Sequence, residues 1–257
     1  NLTSQDGSND AAIREAGGIA PLVELVRSGT EEQKTKGAGA LWNLAKDATN
    51  KRAIREANGI APLVALVGSG TEDQKTKCAG ALLSLAIDVI NKTAIRETGG
   101  IVPLVALVSC GTDEQMVKGA GALRNLAVDA ANKVAIREGG GIAPLVALVS
   151  HGNSEQKTKG AGALSSLAID ANNQLAIYEA GGIVPLVALM SSGTSEQKKE
   201  ATRAMAYLAA DATNQRAIRE AGGIAPLAAL VFDGTDEQRA SAAGALAYLA
   251  IDATNSV

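Results

Sequence analysis

Proline recurs in this chain at a constant interval of 41 residues, with no insertion or deletion between copies. The prolines, six in all, are Pro21, Pro62, Pro103, Pro144, Pro185 and Pro226. An asparagine keeps the same period at Asn9, Asn50, Asn91, Asn132, Asn173, Asn214 and Asn255. Self-similarity at this period predicts stacked supersecondary units, an architecture that presents a long surface rather than a closed catalytic pocket.

No change of composition interrupts the repeat, so the sequence predicts one elongated domain over residues 1–257. Its repeats are 9–49, 50–90, 91–131, 132–172, 173–213 and 214–254. Residues 1–8 are interpreted as the remnant of a preceding repeat, and Asp252 begins the turn into a further one. We therefore expect a segment of a longer array, whose uncovered end layers can associate end to end.

Composition favours an aliphatic helical core and a soluble chain. Hydrophobic residues make up 46% of the sequence but aromatic residues only 2%, and the net charge is −3. This charge gives no reason to expect a nucleic acid or an anionic membrane as partner, and no apolar run is long enough to span a bilayer. Cys78 and Cys110 occupy unrelated slots of the repeat, which favours a reducing compartment: the cytoplasm, with the nucleus as an alternative.

Local signals divide each repeat into three helices. In the second repeat Asn50 is expected to cap a short helix over 51–57, which ends at Asn58-Gly59 through a left-handed residue. A second helix follows, with Pro62 in its first turn, where the missing N–H costs little, and it ends at Gly70.

The third helix is predicted to open with a capping box and to continue to about Asp88. Thr71 and Gln74 form the box, and the pair recurs in every repeat with one asparagine variant. In the first repeat Gly37 and Gly39 lie inside this helix, where each glycine costs about 1 kcal/mol relative to alanine. Their recurrence suggests helices that approach too closely for a β-carbon.

Three segments agree between copies: Gly-Gly-Ile-Ala/Val-Pro-Leu-Val-x-Leu-Val, the Ser-Gly-Thr turn, and Gly-Ala-Leu-x-Asn/Ser-Leu-Ala. With them the chain resembles the armadillo repeat family over essentially its whole length. The resemblance implies an all-α fold, a right-handed superhelix (solenoid) of three-helix repeats. HEAT repeats have a similar period but two helices per unit, and the Gly-Gly break followed by proline argues against them.

The resemblance also implies that the third helices line a concave groove that binds extended segments of partner proteins. The slot of the family's peptide-gripping asparagine, here called the ladder slot, is held by Asn43, Ser84, Asn125, Ser166, Tyr207 and Tyr248. An amide there can bond both the N–H and the C=O of an extended peptide. Four residues earlier, where peptide-binding members often carry tryptophan, the chain has glycine in five repeats. Trp42 precedes Asn43 instead: it is a candidate for one flat contact with a ligand, while the alternative, that a lone tryptophan is a packing residue, is favoured.

A row of lysines lies seven residues before the ladder slot, on nearly the same helix face. Its members are Lys36, Lys77, Lys118 and Lys159. Together with Arg124 and Arg203 they favour acidic or phosphorylated segments as ligands. The alternative, that these lysines only solvate an exposed face, stays open.

Other recurring charges have structural interpretations. The aspartates that follow the third helices, such as Asp47 and Asp88, are expected to cap or turn the chain before the next short helix. The Arg-Glu pairs of the first helices, such as Arg55-Glu56, are interpreted as solvent-facing charge. His151 is the only histidine, and with Cys110 it makes too few ligands for a metal site.

The leading hypothesis is a non-catalytic scaffold that binds an extended, acidic or phosphorylated protein segment, with no cofactor, metal, nucleic acid or membrane involved. One alternative is a nuclear import adaptor-like binder of basic peptides, which the missing tryptophans and the lysine row disfavour. Another is an engineered or purely structural array without a natural ligand.

Overall fold

The computed structural model describes residues 6–252, and every regular element in that range is an α-helix. The chain divides after Ala135 into two compact units, and each is described by itself. The first unit contains α1 (Asp6–Glu15), α2 (Ile19–Ser28), α3 (Glu31–Leu44), α4 (Ala48–Glu56), α5 (Ile60–Ser69), α6 (Glu72–Leu85), α7 (Val89–Glu97), α8 (Ile101–Cys110) and α9 (Asp113–Leu126).

Helix α10 (Ala130–Glu138) spans the division. The second unit then contains α11 (Ile142–His151), α12 (Ser154–Leu167), α13 (Ala171–Glu179), α14 (Ile183–Ser192), α15 (Ser195–Leu208), α16 (Ala212–Glu220), α17 (Ile224–Asp233) and α18 (Asp236–Asp252). Most of the predicted N-terminal remnant and the asparagine at position 255 lie outside the described residues. The single uninterrupted domain stays a prediction.

The predicted all-α solenoid class, with three helices in each repeat, is confirmed. From the second to the fifth repeat the trio is nine, ten and fourteen residues long. The core is aliphatic as expected, because equivalent slots hold fully buried residues such as Leu41, Leu82 and Leu123 in the first unit.

No single helix within 6–252 has the length and hydropathy needed to cross a bilayer. Two bent pairs reach those criteria only when joined, Val89–Glu97 with Ile101–Cys110 at 84° and Ala171–Glu179 with Ile183–Ser192 at 88°.

The first helices begin earlier than predicted, because an aspartate rather than the asparagine caps them. Helix α4 starts at Ala48, and the carboxylate of Asp47 accepts a hydrogen bond from the backbone N–H of Asn50 at 2.9 Å. The expectation that Asn50 is the cap is therefore wrong, while the capping role of the aspartates is confirmed. For the same reason α6 ends at Leu85, before Asp88, whose extended backbone opens the next helix.

The second helices follow the sequence prediction closely. Pro62 lies in the first turn of α5, and Gly70 ends that helix with an extended backbone, φ −76° and ψ 174°. The break before α5 has a left-handed residue as expected, Asn58 with φ 58°. The tight approach predicted at Gly37 is also confirmed, because a β-carbon there would lie 3.1 Å from Val26 Cγ2.

The capping boxes of the third helices are confirmed, and their glutamines also join neighbouring repeats. Gln74 Oε1 accepts from the backbone N–H of Thr71 at 3.0 Å, while its Nε2 donates to the carbonyl of Glu31 at 3.1 Å. Gln115 makes the same bond to the carbonyl of Glu72 at 3.0 Å. Both glutamines are fully buried. The hydrogen bond from Gln74 to the carboxylate of Glu31, with help from Lys34, also lowers the pKa of Glu31.

Arginines of the first helices form a second link between repeats. Arg55 Nη1 donates to Asn91 Oδ1 at 2.9 Å and lies 3.3 Å from Asp88 Oδ1. Arg14 and Arg137 bond the equivalent asparagines at 2.9 and 3.1 Å. The interpretation of these arginines as solvent-facing is therefore wrong, because each supplies the partner of a fully buried asparagine in the next repeat.

The fifth repeat lacks this arginine and has Tyr178 in its place. Asn214, the asparagine that the arginine would reach, is fully buried, and neither its Oδ1 nor its Nδ2 has a hydrogen-bond partner. Asp211 caps α16, but no ion pair involves its carboxylate in the described part of the chain. Arg96 pairs with Asp129 of the next repeat at 3.6 Å, but Asn132 Oδ1 has no hydrogen-bond partner. Between the fifth and sixth repeats the arginine itself is absent, so both contacts are missing.

We expect Tyr178→Arg to raise the free energy of unfolding by about 1–2 kcal/mol, because a charge-assisted bond to Asn214 would replace an unsatisfied buried group. Urea denaturation measures this change. The control Val102→Arg places the same side chain at a position that is 62% exposed on α8, and should alter stability by less than about 0.5 kcal/mol. Equal effects of the two substitutions would contradict this account of Asn214.

Candidate functional site

The third helices pack against one another in sequence within each unit: α3, α6 and α9 in the first, and α12, α15 and α18 in the second. Residues at equivalent positions of adjacent repeats therefore lie next to one another in rows. We call the surface formed by Lys36, Gly39, Trp42 and Asn43 and their counterparts in other repeats the third-helix face.

Trp42 occupies the space that a missing side chain leaves in the next repeat. A β-carbon added at Gly80 would lie 2.5 Å from Trp42 Cε2 and 2.7 Å from Cδ2, so the indole packs directly on the glycine backbone. Leu83 packs on Gly121 in the same way, with Cδ1 3.0 Å from the added β-carbon. Gly80 and Gly121, four residues before the ladder slot, are thus covered by residues of the preceding repeat, and Trp42 is half-buried.

The fifth repeat reverses this pairing of large and small residues. Arg203 stands where other repeats have glycine, and its Nε donates to Oγ of Ser165 at 2.7 Å. Its Nη2 lies 2.7 Å from Oε2 of Glu200, a fully buried carboxylate in the lysine row. In the sixth repeat the slot again holds glycine, but no large side chain covers it: a β-carbon on Gly244 would meet nothing within 4 Å.

The lysine row is partly neutralised by its own helices. Lys77 pairs with Asp73 and Lys118 with Glu114, each one helical turn earlier. Lys118 Nζ also lies 4.7 Å from the centroid of the Trp42 ring, within cation–π range, and the residue is only 9% exposed.

Lys36 is exposed and Lys159 half-exposed, and neither forms an ion pair among residues 6–252. Sequence reasoning missed the carboxylates that face the row. They lie eleven residues before the ladder slot, at Glu32, Asp73, Glu114, Glu155, Glu196 and Glu237, and all six are exposed. The i,i+4 spacing to the lysines could have revealed them, because such pairs meet on a helix surface.

The side chains in the ladder slot form hydrogen bonds within the protein in some repeats and not in others. The Asn43 side chain is exposed and makes no hydrogen bond within the described range, whereas Asn125 Nδ2 donates to the carbonyl of Leu83 at 3.1 Å. Ser84 and Ser166 donate to carbonyls of their own helices. Tyr207 and Tyr248 are exposed to 36% and 45%. Arg124 is half-buried on α9, one residue before Asn125.

Among residues 6–252 no group of three or more His, Cys, Asp or Glu side chains is placed to hold a metal ion. His151 is exposed at the end of α11. Cys78 is buried in α6, and burial raises the pKa of its thiol to about 12, whereas Cys110 is exposed. Cys78 thus has the environment of a packing residue rather than of a nucleophile.

Known proteins match the chain at two levels. The family "Armadillo/beta-catenin-like repeat" matches residues 170–210. The crystal structure of an engineered protein is 32% identical, covering 91% of this chain and 97% of the other with a TM-score of 0.85. No curated protein matches the chain.

Two designed proteins share the fold at lower identity. Computationally designed armadillo repeat proteins for modular peptide recognition are 23% identical, with 90% of this chain and 99% of the other covered and a TM-score of 0.84. A designed armadillo repeat protein in complex with the peptide (KR)4 is also 23% identical, over 90% and 99%, with a TM-score of 0.82.

We expect Gly80→Ala to destabilise the chain by about 1–3 kcal/mol, because its β-carbon would collide with the Trp42 indole. Trp42 is the only tryptophan, so its fluorescence should change as well. The matched control is Gly244→Ala, which has open space and should be neutral or up to about 1 kcal/mol stabilising. If Gly80→Ala behaves like the control, the packing of Trp42 on Gly80 is wrong.

The two thiols should differ sharply in reactivity. At about pH 8, Ellman's reagent should modify Cys110 rapidly and leave Cys78 intact, since a pKa of about 12 leaves almost no thiolate. Concentrated guanidinium chloride should expose the second thiol. A Cys110→Ser variant should release no colour while folded, and rapid release from it would show that Cys78 is accessible.

Proposed function

Because the chain belongs to the armadillo repeat family, we propose that it is a binding scaffold whose third-helix face holds an extended segment of a partner protein. The observation that carries the proposal is the exposure of Asn43, Tyr207 and Tyr248 in the ladder slot, on helices packed side by side within their units. Designed proteins of this fold were made for modular peptide recognition, which supports the same use of the face here.

Asn43 suits this role because its amide can donate to a peptide carbonyl and accept from a peptide N–H at the same time. An extended segment has no internal partners for these groups, so it gains most from such contacts. Tyr207 and Tyr248 would add ring area and one hydroxyl each, and exposed tyrosines bind with little loss of conformational entropy.

The preference for acidic or phosphorylated segments is proposed for the first repeat in particular. Lys36 lies on the same helix as Asn43, seven residues before it, and both side chains are exposed. Lys77 and Lys118 already have carboxylate partners, as does Arg203, so a ligand would gain less from them. Lys36 is therefore the cation with the most to gain from an acidic ligand in the first unit.

One observation favours basic ligands instead, as in a nuclear import adaptor. Glu32, Glu155 and Glu237 are exposed and form no ion pair within the described residues. The resemblance implies that basic segments need tryptophan slots for their lysine stems, and glycine holds that slot in five repeats. An array without a ligand, natural or engineered, is the third possibility.

The test uses fluorescein-labelled twelve-residue peptides that differ only in charge: acidic, phosphoserine-containing, basic and neutral. We expect fluorescence anisotropy to show binding of the acidic and phosphorylated peptides. Asn43→Ala and Lys36→Glu should each weaken it about tenfold, which corresponds to about 1.4 kcal/mol. The control Arg27→Glu makes the same charge change at an exposed position on α2 and should leave the affinity unchanged.

Each other outcome has a definite meaning. Tight binding of the basic peptide alone, lost in Glu155→Lys, would replace the proposed preference with the adaptor-like one. Failure of all four peptides would favour the array without a ligand.

A further inference from the structure

Helix α17 of the sixth repeat carries an apolar stripe that no other helix covers. Ile224, Ala228 and Phe232 recur every four residues, so they share one side of the helix. All three are exposed, Ile224 to 43% and Phe232 to 80%. Ile60 and Ile183, which hold the slot of Ile224 in other repeats, are buried. We call this stripe the sixth-repeat face.

The first repeat has an uncovered surface of its own, here called the first-repeat face. It consists of Ile13, Gly18, Pro21 and Gln33. Ile13 is 40% exposed, whereas Ile54, in the same slot of the second repeat, is fully buried on a helix that packs against α2. Gln33 is likewise exposed, whereas Gln74 is fully buried. In the second repeat these slots are therefore covered by the preceding repeat.

Within the first unit, the second helices of adjacent repeats join through the equivalents of these two faces. A β-carbon added at Gly59 would lie 2.9 Å from Val23 Cγ2 of the preceding repeat. A β-carbon added at Gly68 would lie 3.9 Å from Pro103 Cβ of the following repeat. The glycine of one repeat thus packs on a valine of the repeat before it, and the proline packs near the end of the preceding second helix.

Because the period is constant, each of these contacts has an equivalent between the two uncovered faces. Ala228 holds, with a smaller side chain, the valine slot that faces Gly18. Phe232 holds the slot that faces Pro21, where other repeats have small residues such as Ser191. The phenylalanine ring therefore adds apolar area at this contact, and burying it is favourable.

The glutamine of the first-repeat face also lacks a partner that a preceding repeat supplies elsewhere. Gln33 Oε1 accepts from the backbone N–H of Thr30 at 2.9 Å, but its Nε2 has no acceptor within residues 6–252. In the sixth repeat Gln238 Nε2 donates to the carbonyl of Ser195 at 2.8 Å. By the same spacing, the acceptor for Gln33 is the carbonyl of Asp236 in another copy of the chain.

We propose that the sixth-repeat face of one copy binds the first-repeat face of a second copy, in the arrangement that joins successive repeats within the chain. Two different faces meet in this contact, so it is heterologous and allows association beyond a dimer. It uses the ends of the array and not the third-helix face, so it does not depend on the function proposed for that face.

The test measures the mass of the full chain by sedimentation velocity between about 5 and 500 μM, the range in which a contact of modest affinity is detected. We expect the mean mass to rise with concentration. Phe232→Glu and Pro21→Glu each place a charge in one face and should weaken the association about tenfold or more. The control Val102→Glu makes a similar change at an exposed position of α8 outside both faces and should associate like the parent chain.

Mixing the two variants separates this contact from other kinds of association. Phe232→Glu keeps an intact first-repeat face and Pro21→Glu keeps an intact sixth-repeat face, so an equimolar mixture should form dimers and stop there. Phe232→Ser, which restores the residue found at Ser191, should weaken association without a new charge. The proposal fails if the parent chain stays monomeric throughout, if the variants associate like the parent, or if the mixture forms no dimer.

Discussion

Each repeat buries polar groups that only the neighbouring repeat can satisfy. Asn91 receives its hydrogen bond from Arg55, and Gln115 gives its own to the carbonyl of Glu72. These bonds join residues 36 and 43 positions apart in sequence. Because an unpaired buried amide is costly, an insertion in either connection would disturb both bonds at once. The constant period of 41 residues is therefore a requirement of the interfaces and not only a trace of duplication.

The same dependence on neighbours shapes the third-helix face. Large residues of one repeat cover glycines of the next, as Trp42 covers Gly80, and where Arg203 replaces the glycine its partner is a serine. Charges are also partly matched within the face, because Lys77, Lys118 and Arg203 each pair with a carboxylate of their own helix. A ligand would therefore meet a largely neutral and well-packed surface, on which a few side chains such as Asn43 and Lys36 are free to respond.

Much of the fold could be predicted because its signals are local. Pro62, Gly70 and the Thr71–Gln74 box act within one turn of chain, so the sequence places the second and third helix starts correctly. The cap of the first helix was misplaced, because aspartate and asparagine are equally good caps and only the buried bond from Arg14 makes Asn50 a core residue.

The contacts of the third-helix face are harder to predict than the helices, because several of them form between repeats and not within one turn of chain. The lysine–carboxylate pairs are local and could have been found from their i,i+4 spacing. The contact of Trp42 with Gly80 and the bond from Asn125 to Leu83 cross between repeats, and they depend on how closely the helices approach. Because the stability of each interface between repeats depends on such links, it varies along the chain. At Tyr178 the arginine link to the next repeat is absent. The sixth repeat is therefore the part of the second unit best placed to open by itself. Sub-global opening of this kind would give α16, α17 and α18 faster amide hydrogen exchange than the helices before them.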